Sequence, residues 1–173
     1  MISSLTAPRN WPIWAFVISV AMLAAAHAFE RIALLAPCPL CLRQREVYWV
    51  ALTIAAIGYF AIMRFATPKL ILAVNGALCL VFLVGTAVAV YHAGVEWKFW
   101  EGPKDCANAG GGDIGSAADL LSSLDEKMAV VSCSDAAWRM FGISMAGYNA
   151  IMSLGLTIVS AIMALRPARR IPA

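Results

Sequence analysis

Residues 70–95 read LILAVNGALCLVFLVGTAVAVYHAGV, a run of 26 residues that contains no Asp, Glu, Lys or Arg. As an α-helix, such a run is long enough to cross about 30 Å of hydrocarbon, for which roughly 20 residues suffice. No period-2 alternation of the kind found in membrane β-barrel strands is present. The run therefore predicts a transmembrane helix.

Three further charge-free runs outside this stretch have the same character: Trp11–Phe29, Val47–Met63 and Met140–Leu165. The four runs predict an all-α membrane protein, a bundle of four transmembrane helices in a single domain over residues 1–173. After allowance for interfacial turns, the expected spans are about 11–29, 47–63, 70–90 and 143–165, with outer loops at about 30–46 and 91–139. The short connection at 64–69 contains Thr67-Pro68, a turn signal, and predicts a hairpin of the second and third helices.

Composition agrees with a membrane location. Of the 173 residues, 62% are hydrophobic and 13% are charged, and the mean hydropathy is +0.78. A soluble domain carries about twice that charged fraction. These values exclude a disordered chain, a nucleic-acid-binding protein and an ordinary cytosolic enzyme.

Basic residues indicate the orientation. The segments 1–10, 64–69 and 166–173 hold six Lys or Arg among 24 residues, whereas the segments 30–46 and 96–139 hold seven among 61. Loops rich in Lys and Arg stay on the cytoplasmic side. All six Trp also lie at or near span ends, as at membrane interfaces. We expect both termini in the cytoplasm and the two cysteine-bearing loops outside.

A secretory signal is the alternative for the first run, because Arg9 precedes it and Ala26-His27-Ala28 resembles a cleavage site. The run is 19 residues long and opens with Trp11 and Pro12, which favours a retained span.

The second outer loop contains a stretch with apolar residues at three- and four-residue steps: Ile114, Ala117, Leu121, Leu124, Met128 and Val131. This spacing predicts a short amphipathic helix. Either it lies on the outer membrane surface, or it is a solvated loop helix packed on the bundle.

Cys38-Pro39-Leu40-Cys41 is a C-x-x-C motif immediately before the second span. This spacing permits a small-ring disulfide, which is typical of redox-active pairs. A helix N-terminus and the guanidinium of Arg45, one turn further on, both favour the thiolate of Cys41. Arg43 is two positions from Arg45 and cannot share that face, so we interpret it as a surface charge.

Three cysteines remain. Cys106 and Cys133 bracket the amphipathic stretch, and a triple glycine follows Cys106 closely, which suits a disulfide that must be reached and exchanged. A structural staple is one alternative for this pair. A Cys₄ zinc site is another, although only one of its two pairs would be close in sequence. Cys79, within the third span, is interpreted as a small core residue.

The chain resembles the disulfide bond formation protein B (DsbB) family of bacterial quinone-linked thiol oxidases. The resemblance covers four spans, the C-x-x-C in the first outer loop and the cysteine pair in the second. It is reinforced by the string from Tyr91-His92-Ala93-Gly94-Val95-Glu96 to Gly102-Pro103 and by Trp138 through Phe141-Gly142. In the vitamin K epoxide reductase family, the loop cysteines precede the C-x-x-C, so that family is a poorer match.

The resemblance implies a multi-pass protein of the bacterial inner membrane and a relay among four catalytic cysteines. A periplasmic DsbA-like thiol oxidase would attack Cys106, and the released Cys133 would attack Cys38. Cys41 would then pass electrons to a membrane quinone, either ubiquinone or menaquinone. A non-enzymatic four-span scaffold with structural outer-loop disulfides is the alternative function.

Arg45 is the first candidate for binding the quinone, since it can donate hydrogen bonds to a quinone oxygen. Its alternative role is that of an interfacial snorkelling arginine. His92, near the outer end of the third span, is the second candidate. His27 has a comparable depth in the first span and is a weaker candidate. The Trp97, Phe99 and Trp100 cluster is interpreted as an interfacial anchor rather than a quinone wall.

Overall fold

Four long helices make up most of the described chain. The computed structural model describes residues 7–103, 106, 129–130 and 132–166. Each helix is long and apolar enough to cross a membrane, which confirms the prediction of a four-helix membrane bundle. Their bounds are α1 Trp11–Ile32, α2 Pro39–Phe65, α3 Pro68–Glu96 and α4 Met145–Leu165.

The helix boundaries follow local chemistry. A 3₁₀ turn over Pro8–Asn10 leads into α1. The side chains of Cys38, Thr67 and Ser144 each accept a backbone N–H from the first turn of α2, α3 and α4, respectively. At the end of α2, Ala66 adopts a left-handed conformation with φ of 44°. Pro68 then opens α3, so the connection is a tight hairpin, as the turn signal predicted.

The most extensive helix packing joins α3 to α4, followed by the contacts of α2 with α1 and with α3. Small residues allow close approach. A Cβ on Gly58 would lie 2.4 Å from Val74 Cγ1, and one on Gly85 would lie 2.9 Å from Val47 Cγ1. Leu78 and Phe82 of α3 are fully buried at the centre of the core. Close backbone contact of this kind stabilises helix pairs in membranes, where burial from lipid contributes little.

The helices extend beyond the predicted spans at several ends. The second helix begins at Pro39, in the C-x-x-C motif as the sequence indicated, and continues through Arg43, Arg45 and Glu46 before the charge-free run starts. The third helix continues to Glu96, six residues beyond the predicted span. The fourth helix begins at Met145, because a hairpin of β3 Arg139–Met140 and β4 Ile143–Ser144 precedes it.

The hairpin turn lies at Phe141 and Gly142, which have φ of 50° and 80°. Such left-handed backbone cannot continue a helix. The charge-free run at 140–165 is therefore part hairpin and part helix.

A short parallel pairing ties the two cysteine loops together. Strand β1, Leu35–Ala36, pairs with β2, Ala129–Val130. Residues 107–128 and 131 lie outside the described residues, and most of the predicted amphipathic helix falls there. The part of that stretch that is described, Ala129–Val130, is a strand and not a helix.

Candidate thiol redox site

Both cysteine pairs meet at one end of the bundle. Cys106 and Cys133 form a disulfide, whereas Cys38 and Cys41 are free. Cys38, Cys106 and Cys133 share one buried cluster with Leu40 and Val95, and Cys41 packs against it. With Cys106 and Cys133 bonded to each other, the arrangement favours two separate pairs over a Cys₄ zinc site. The two pairs are neighbours, although 64 residues lie between Cys41 and Cys106 in the sequence.

The C-x-x-C sulfurs lie close to one another. Cys38 is the N-cap of α2, and its sulfur accepts the backbone N–H of Cys41 at 3.2 Å. The Cys38 thiol also donates to the sulfur of Cys41 at 2.8 Å. This hydrogen bond, together with burial, raises the pKa of the Cys38 thiol. Cys38 therefore retains the proton of the pair, and the negative charge falls to Cys41.

The loop disulfide is buried. Its position in a loop favours access by a water-soluble partner, whereas the exposed fractions of Cys106 and Cys133 are 4% and 0%. Both residues belong to a buried cluster with Leu40 of α2 and Val95 of α3. As they lie in the structure, the two sulfurs present almost no surface to a partner protein.

His92 lies beside Cys38, with 3% of its surface exposed. Its Nε2 is 3.7 Å from the sulfur of Cys38 and 4.0 Å from Oε1 of Glu96. Its Nδ1 lies 2.7 Å from Nε2 of Gln44. Cys38, Cys41 and His92 offer ligand atoms within 4.8 Å of one another, a spacing that suits a thiol–imidazole group or a metal site.

A series of buried, hydrogen-bonded polar side chains extends from His92 toward the middle of the bundle. The side-chain amide of Asn149 donates to Oε1 of Gln44. The hydroxyl of Tyr48 donates to Oδ1 of Asn149 at 2.6 Å and lies 3.1 Å from the hydroxyl of Ser153. Three helices thus contribute to one connected network beneath the C-x-x-C.

Arg45 is held by α1. Its guanidinium donates to Oε2 of Glu30 and, at 3.1 Å, to the backbone carbonyl of Ala26. The side chain is 14% exposed. Nδ1 of His27 lies 3.5 Å from Oε2 of Glu30, and the His27 side chain is 45% exposed. Arg43, by contrast, makes an exposed ion pair with Glu46 at 3.0 Å, which agrees with its interpretation as a surface charge.

A cavity of about 280 Å³ adjoins the free cysteines. Arg45, His92, Gln44 and Glu96 contribute polar groups to its wall. The remaining wall is mostly apolar and includes Met22, Leu23, Ala25, Ala26, Phe29, Leu35, Trp138 and Met145. The cavity combines an apolar enclosure with a few convergent donors, as small-molecule sites do.

Sequence analysis did not single out Gln44, Tyr48, Glu96 or Asn149. Glu96 is 7% exposed and accepts a hydrogen bond from the hydroxyl of Ser144. An available signal was that Glu96 directly follows one long apolar run and Asn149 lies within another, and polar residues in membrane helices are usually functional. The bond of Asn149 to Gln44 could not be foreseen, because it joins positions 105 residues apart.

The other residues considered in the sequence lie outside the cavity wall. Cys79 is half-buried in α3. Trp97, Phe99 and Trp100 form an exposed aromatic group in which Trp100 stacks on Tyr91 with the ring planes 7° apart. The aromatic residues that do line the cavity are Phe29, Tyr48, Trp138 and Tyr148.

Comparison with known proteins identifies the family of the chain. The family model described as "Disulfide bond formation protein DsbB" matches residues 8–163. The chain belongs to the DsbB family.

Two curated proteins are similar along most of their length. The disulfide bond formation protein B of Dechloromonas aromatica (strain RCB) is 24% identical over 171 residues, which cover 98% of this chain and 99% of that protein. An uncharacterized protein of Rickettsia prowazekii (strain Madrid E) is 25% identical over 150 residues, which cover 87% of this chain and 84% of that protein.

DsbB membership confirms the recognition made from the cysteine pattern and confirms the coarser functional prediction. The chain is a membrane thiol oxidoreductase of disulfide-bond formation, which excludes the purely structural scaffold. Family membership and the four apolar helices also indicate a multi-pass inner-membrane protein that works with a thiol oxidase.

Proposed function

We propose that this DsbB-family protein oxidises a periplasmic DsbA-like dithiol protein and passes the electrons to a membrane quinone beside Cys41. The observation that carries this proposal is the position of the free C-x-x-C between two different neighbours. On one side it shares a buried cluster with the Cys106–Cys133 disulfide. On the other side it lines an apolar cavity with Arg45.

The residues around the cavity fit a quinone. The apolar side chains of α1 suit a flat, lipid-soluble ring, and the guanidinium of Arg45 suits a carbonyl oxygen that gains negative charge. Arg45 and His92 are the residues that would hold it. A bound quinone would supply the chemistry of a two-electron, two-proton acceptor.

Thiol exchange delivers electrons to the C-x-x-C in two bond exchanges. A partner thiolate attacks Cys106, the Cys106–Cys133 bond breaks, and Cys133 leaves as a thiolate. Cys133 then attacks Cys38 of an oxidised C-x-x-C, which forms a Cys133–Cys38 bond and releases Cys41 as a thiolate.

The second partner thiol completes the cycle. It attacks its own mixed disulfide, leaves as oxidised partner and frees the Cys106 thiolate. Cys106 attacks Cys133, so the loop disulfide re-forms and Cys38 is released. Two electrons then reside on Cys38 and Cys41, ready for transfer to the quinone.

We further propose that both termini are cytoplasmic and that the loops bearing the two cysteine pairs face the periplasm. The excess of Lys and Arg in the segments 1–10, 64–69 and 166–173 supports this orientation.

The test is quinone reduction by the purified protein in detergent, with a reduced DsbA-type donor and soluble analogues of ubiquinone and menaquinone. We expect loss of quinone absorbance in step with donor oxidation, and no turnover in Cys41→Ser. Cys79→Ser is the matched control, because Cys79 is a free cysteine outside the cavity wall and the cysteine cluster. Normal turnover in Cys41→Ser would show that the C-x-x-C does not deliver the electrons.

A further inference from the structure

The buried side-chain hydrogen bonds below the C-x-x-C form a series in which donors and acceptors follow one direction. Tyr48, Gln44, His92 and Asn149 are each less than a tenth exposed, at 4%, 8%, 3% and 8%. Tyr48 donates to Oδ1 of Asn149, and the amide of Asn149 donates to Oε1 of Gln44. The amide nitrogen of Gln44 then faces Nδ1 of His92 at 2.7 Å.

This direction determines the tautomer of His92. A neutral imidazole has one N–H and one bare nitrogen. Because an amide NH₂ can only donate, Nδ1 must be the bare nitrogen, and the proton is on Nε2. The hydrogen bond made by one ring nitrogen thus sets the state of the other.

The opposite side of the ring is consistent with the same assignment. Nε2 faces the sulfur of Cys38 at 3.7 Å and the carboxylate of Glu96 at 4.0 Å. Both are acceptors. If the side-chain amides of Gln44 and Asn149 were both rotated by 180°, Nδ1 would carry the proton. The unprotonated Nε2 would then face the carboxylate of Glu96, and two acceptors would face each other.

We propose that Gln44 and Asn149 are positioning residues that hold His92 as the Nε2–H tautomer, with this N–H directed at the sulfur of Cys38. This inference rests on the proposed thiol relay for its role. When Cys106 attacks Cys133 and the Cys133–Cys38 bond breaks, the sulfur of Cys38 takes the electron pair. The Nε2–H of His92 then stabilises that leaving thiolate as a hydrogen-bond donor.

The Nε2–H tautomer also excludes two other roles for Nε2 of neutral His92. A nitrogen that already carries a proton cannot accept one from Cys38, so His92 is not the base for that thiol. It also has no lone pair for a metal ion, so Cys38, Cys41 and His92 do not act together as a metal-ligand set through Nε2.

The tautomer can be measured directly in the full-length protein in detergent micelles, with ¹⁵N-labelled histidine and long-range ¹H–¹⁵N correlation spectra at neutral pH. The chain has two histidines, so His27→Asn assigns the remaining signal to His92. We expect the protonated nitrogen of His92 to be Nε2. A proton on Nδ1 in the unaltered protein would overturn the proposal.

Two substitutions should reverse the tautomer. In Gln44→Glu, a carboxylate replaces the donor and can only accept, so the proton moves to Nδ1. In Asn149→Asp, which does not touch His92, the amide of Gln44 should turn to donate to the new carboxylate and present its carbonyl to Nδ1, with the same outcome. An unchanged Nε2–H in either variant that folds would overturn the proposal, so failure of one variant to fold leaves the other as the test.

Thr157→Val is the matched control. Thr157 is a buried polar residue of α4, two turns from Asn149, and its hydroxyl bonds to the carbonyl of Ser153 and lies near Thr86. Loss of that hydroxyl should leave the His92 spectrum unchanged. A change equal to that of Asn149→Asp would indicate general loosening of the helix and would overturn the specific role of Asn149.

Turnover provides the second readout. Gln44→Glu and Asn149→Asp should both lower kcat for donor oxidation by about tenfold, the loss expected for one hydrogen bond to a charged group. An unchanged kcat with a reversed tautomer would overturn the catalytic purpose of the network. The spectra need neither donor nor quinone, so a protein that is inactive with every quinone but shows the expected tautomers would refute the proposed function alone.

Discussion

Arg45 carries a positive charge at the wall of an apolar cavity, and two acceptors of α1 fix its direction. Glu30 and the carbonyl of Ala26 take two of its N–H donors. A guanidinium has five such donors in a rigid plane, so others remain for a ligand. Lysine, with a single flexible ammonium, could not satisfy the same arrangement.

Replacement of Arg45 should therefore weaken the interaction with quinone. We expect Arg45→Ala to raise the apparent KM for quinone about tenfold, because one charge-assisted hydrogen bond is lost. Steady-state assays at varied quinone concentration give this value. Arg43→Ala removes an exposed arginine of the same helix and should leave KM unchanged. Equal KM values in both variants would remove Arg45 from the site.

The proton shared by Cys38 and Cys41 can be located by alkylation. A raised pKa keeps Cys38 a thiol to higher pH, and only a thiolate reacts readily with iodoacetamide. From neutral to mildly alkaline pH, we expect label on Cys41 and almost none on Cys38. Peptide mass spectrometry after brief labelling distinguishes the two sites. Faster labelling of Cys38 would reverse the roles assigned to the pair.

At the scale of elements, the side chain of Trp100 packs against the C-terminal end of α3. Gly94, two residues before the helix end, has the indole of Trp100 directly against its Cα, so an added Cβ would lie 2.0 Å from Cζ2. The indole N–H of Trp100 donates to the carbonyl of Tyr91 at 2.9 Å, which fastens the turn. Only glycine permits this contact.

Gly94→Ala should therefore displace Trp100. Overpacking of this kind costs about 1–3 kcal/mol, so we expect a lower Tm in detergent. Gly76→Ala is the control, because a Cβ there meets nothing within 4 Å, and alanine in a helix should hold or raise Tm. Gly94→Ala combined with Trp100→Ala should lose less than the sum of the single effects. Strict additivity would show that the two side chains do not clash.

The polar residues of α4 also act together as an element. Asn149, Ser153, Thr157 and Ser160 recur at three- and four-residue steps and are all buried. They bond to Tyr48 of α2, Thr86 of α3 and Trp11 of α1. A single stripe of small polar side chains thus connects α4 to every other helix of the bundle.

At the scale of the whole molecule, the distribution of Lys and Arg predicts the membrane topology, and reporter fusions can test it. Alkaline phosphatase fused after Ala173 should be inactive in cells, whereas a green fluorescent reporter at the same position should be bright. Phosphatase inserted after Gly102 should be active, because that loop is expected in the periplasm. The opposite pattern at both positions would invert the proposed topology.

The sequence predicted the bundle because apolar runs are a property of single segments. The C-x-x-C motif indicated the start of α2, whereas the charge-free run alone begins at Val47, because Arg43 and Arg45 interrupt an apolar run but not a helix. The sequence missed the hairpin before α4, because the hairpin residues from Met140 to Ser144 are as free of charge as the helix that follows. Only the left-handed backbone of Phe141 and Gly142 distinguishes them from that helix.

The C-x-x-C motif and the one-turn separation of Arg45 from Cys41 could be read from local sequence, and the redox roles assigned to these residues stay predictions. The Gln44–His92 and Gln44–Asn149 contacts were not, because each depends on how α2 meets α3 or α4 in space. The local sequence pattern predicts helices and motifs. Hydrogen bonds between side chains of different helices depend on how those helices are rotated relative to one another.

The burial of the Cys106–Cys133 disulfide has a consequence for selectivity. Both cysteines are less than a twentieth exposed, so a dissolved thiol meets little of their surface. We expect glutathione to react slowly with this disulfide even where the reduction potentials favour exchange, because the rate of thiol exchange depends on access as well as on driving force. The disulfide would then be protected kinetically from the bulk thiol pool.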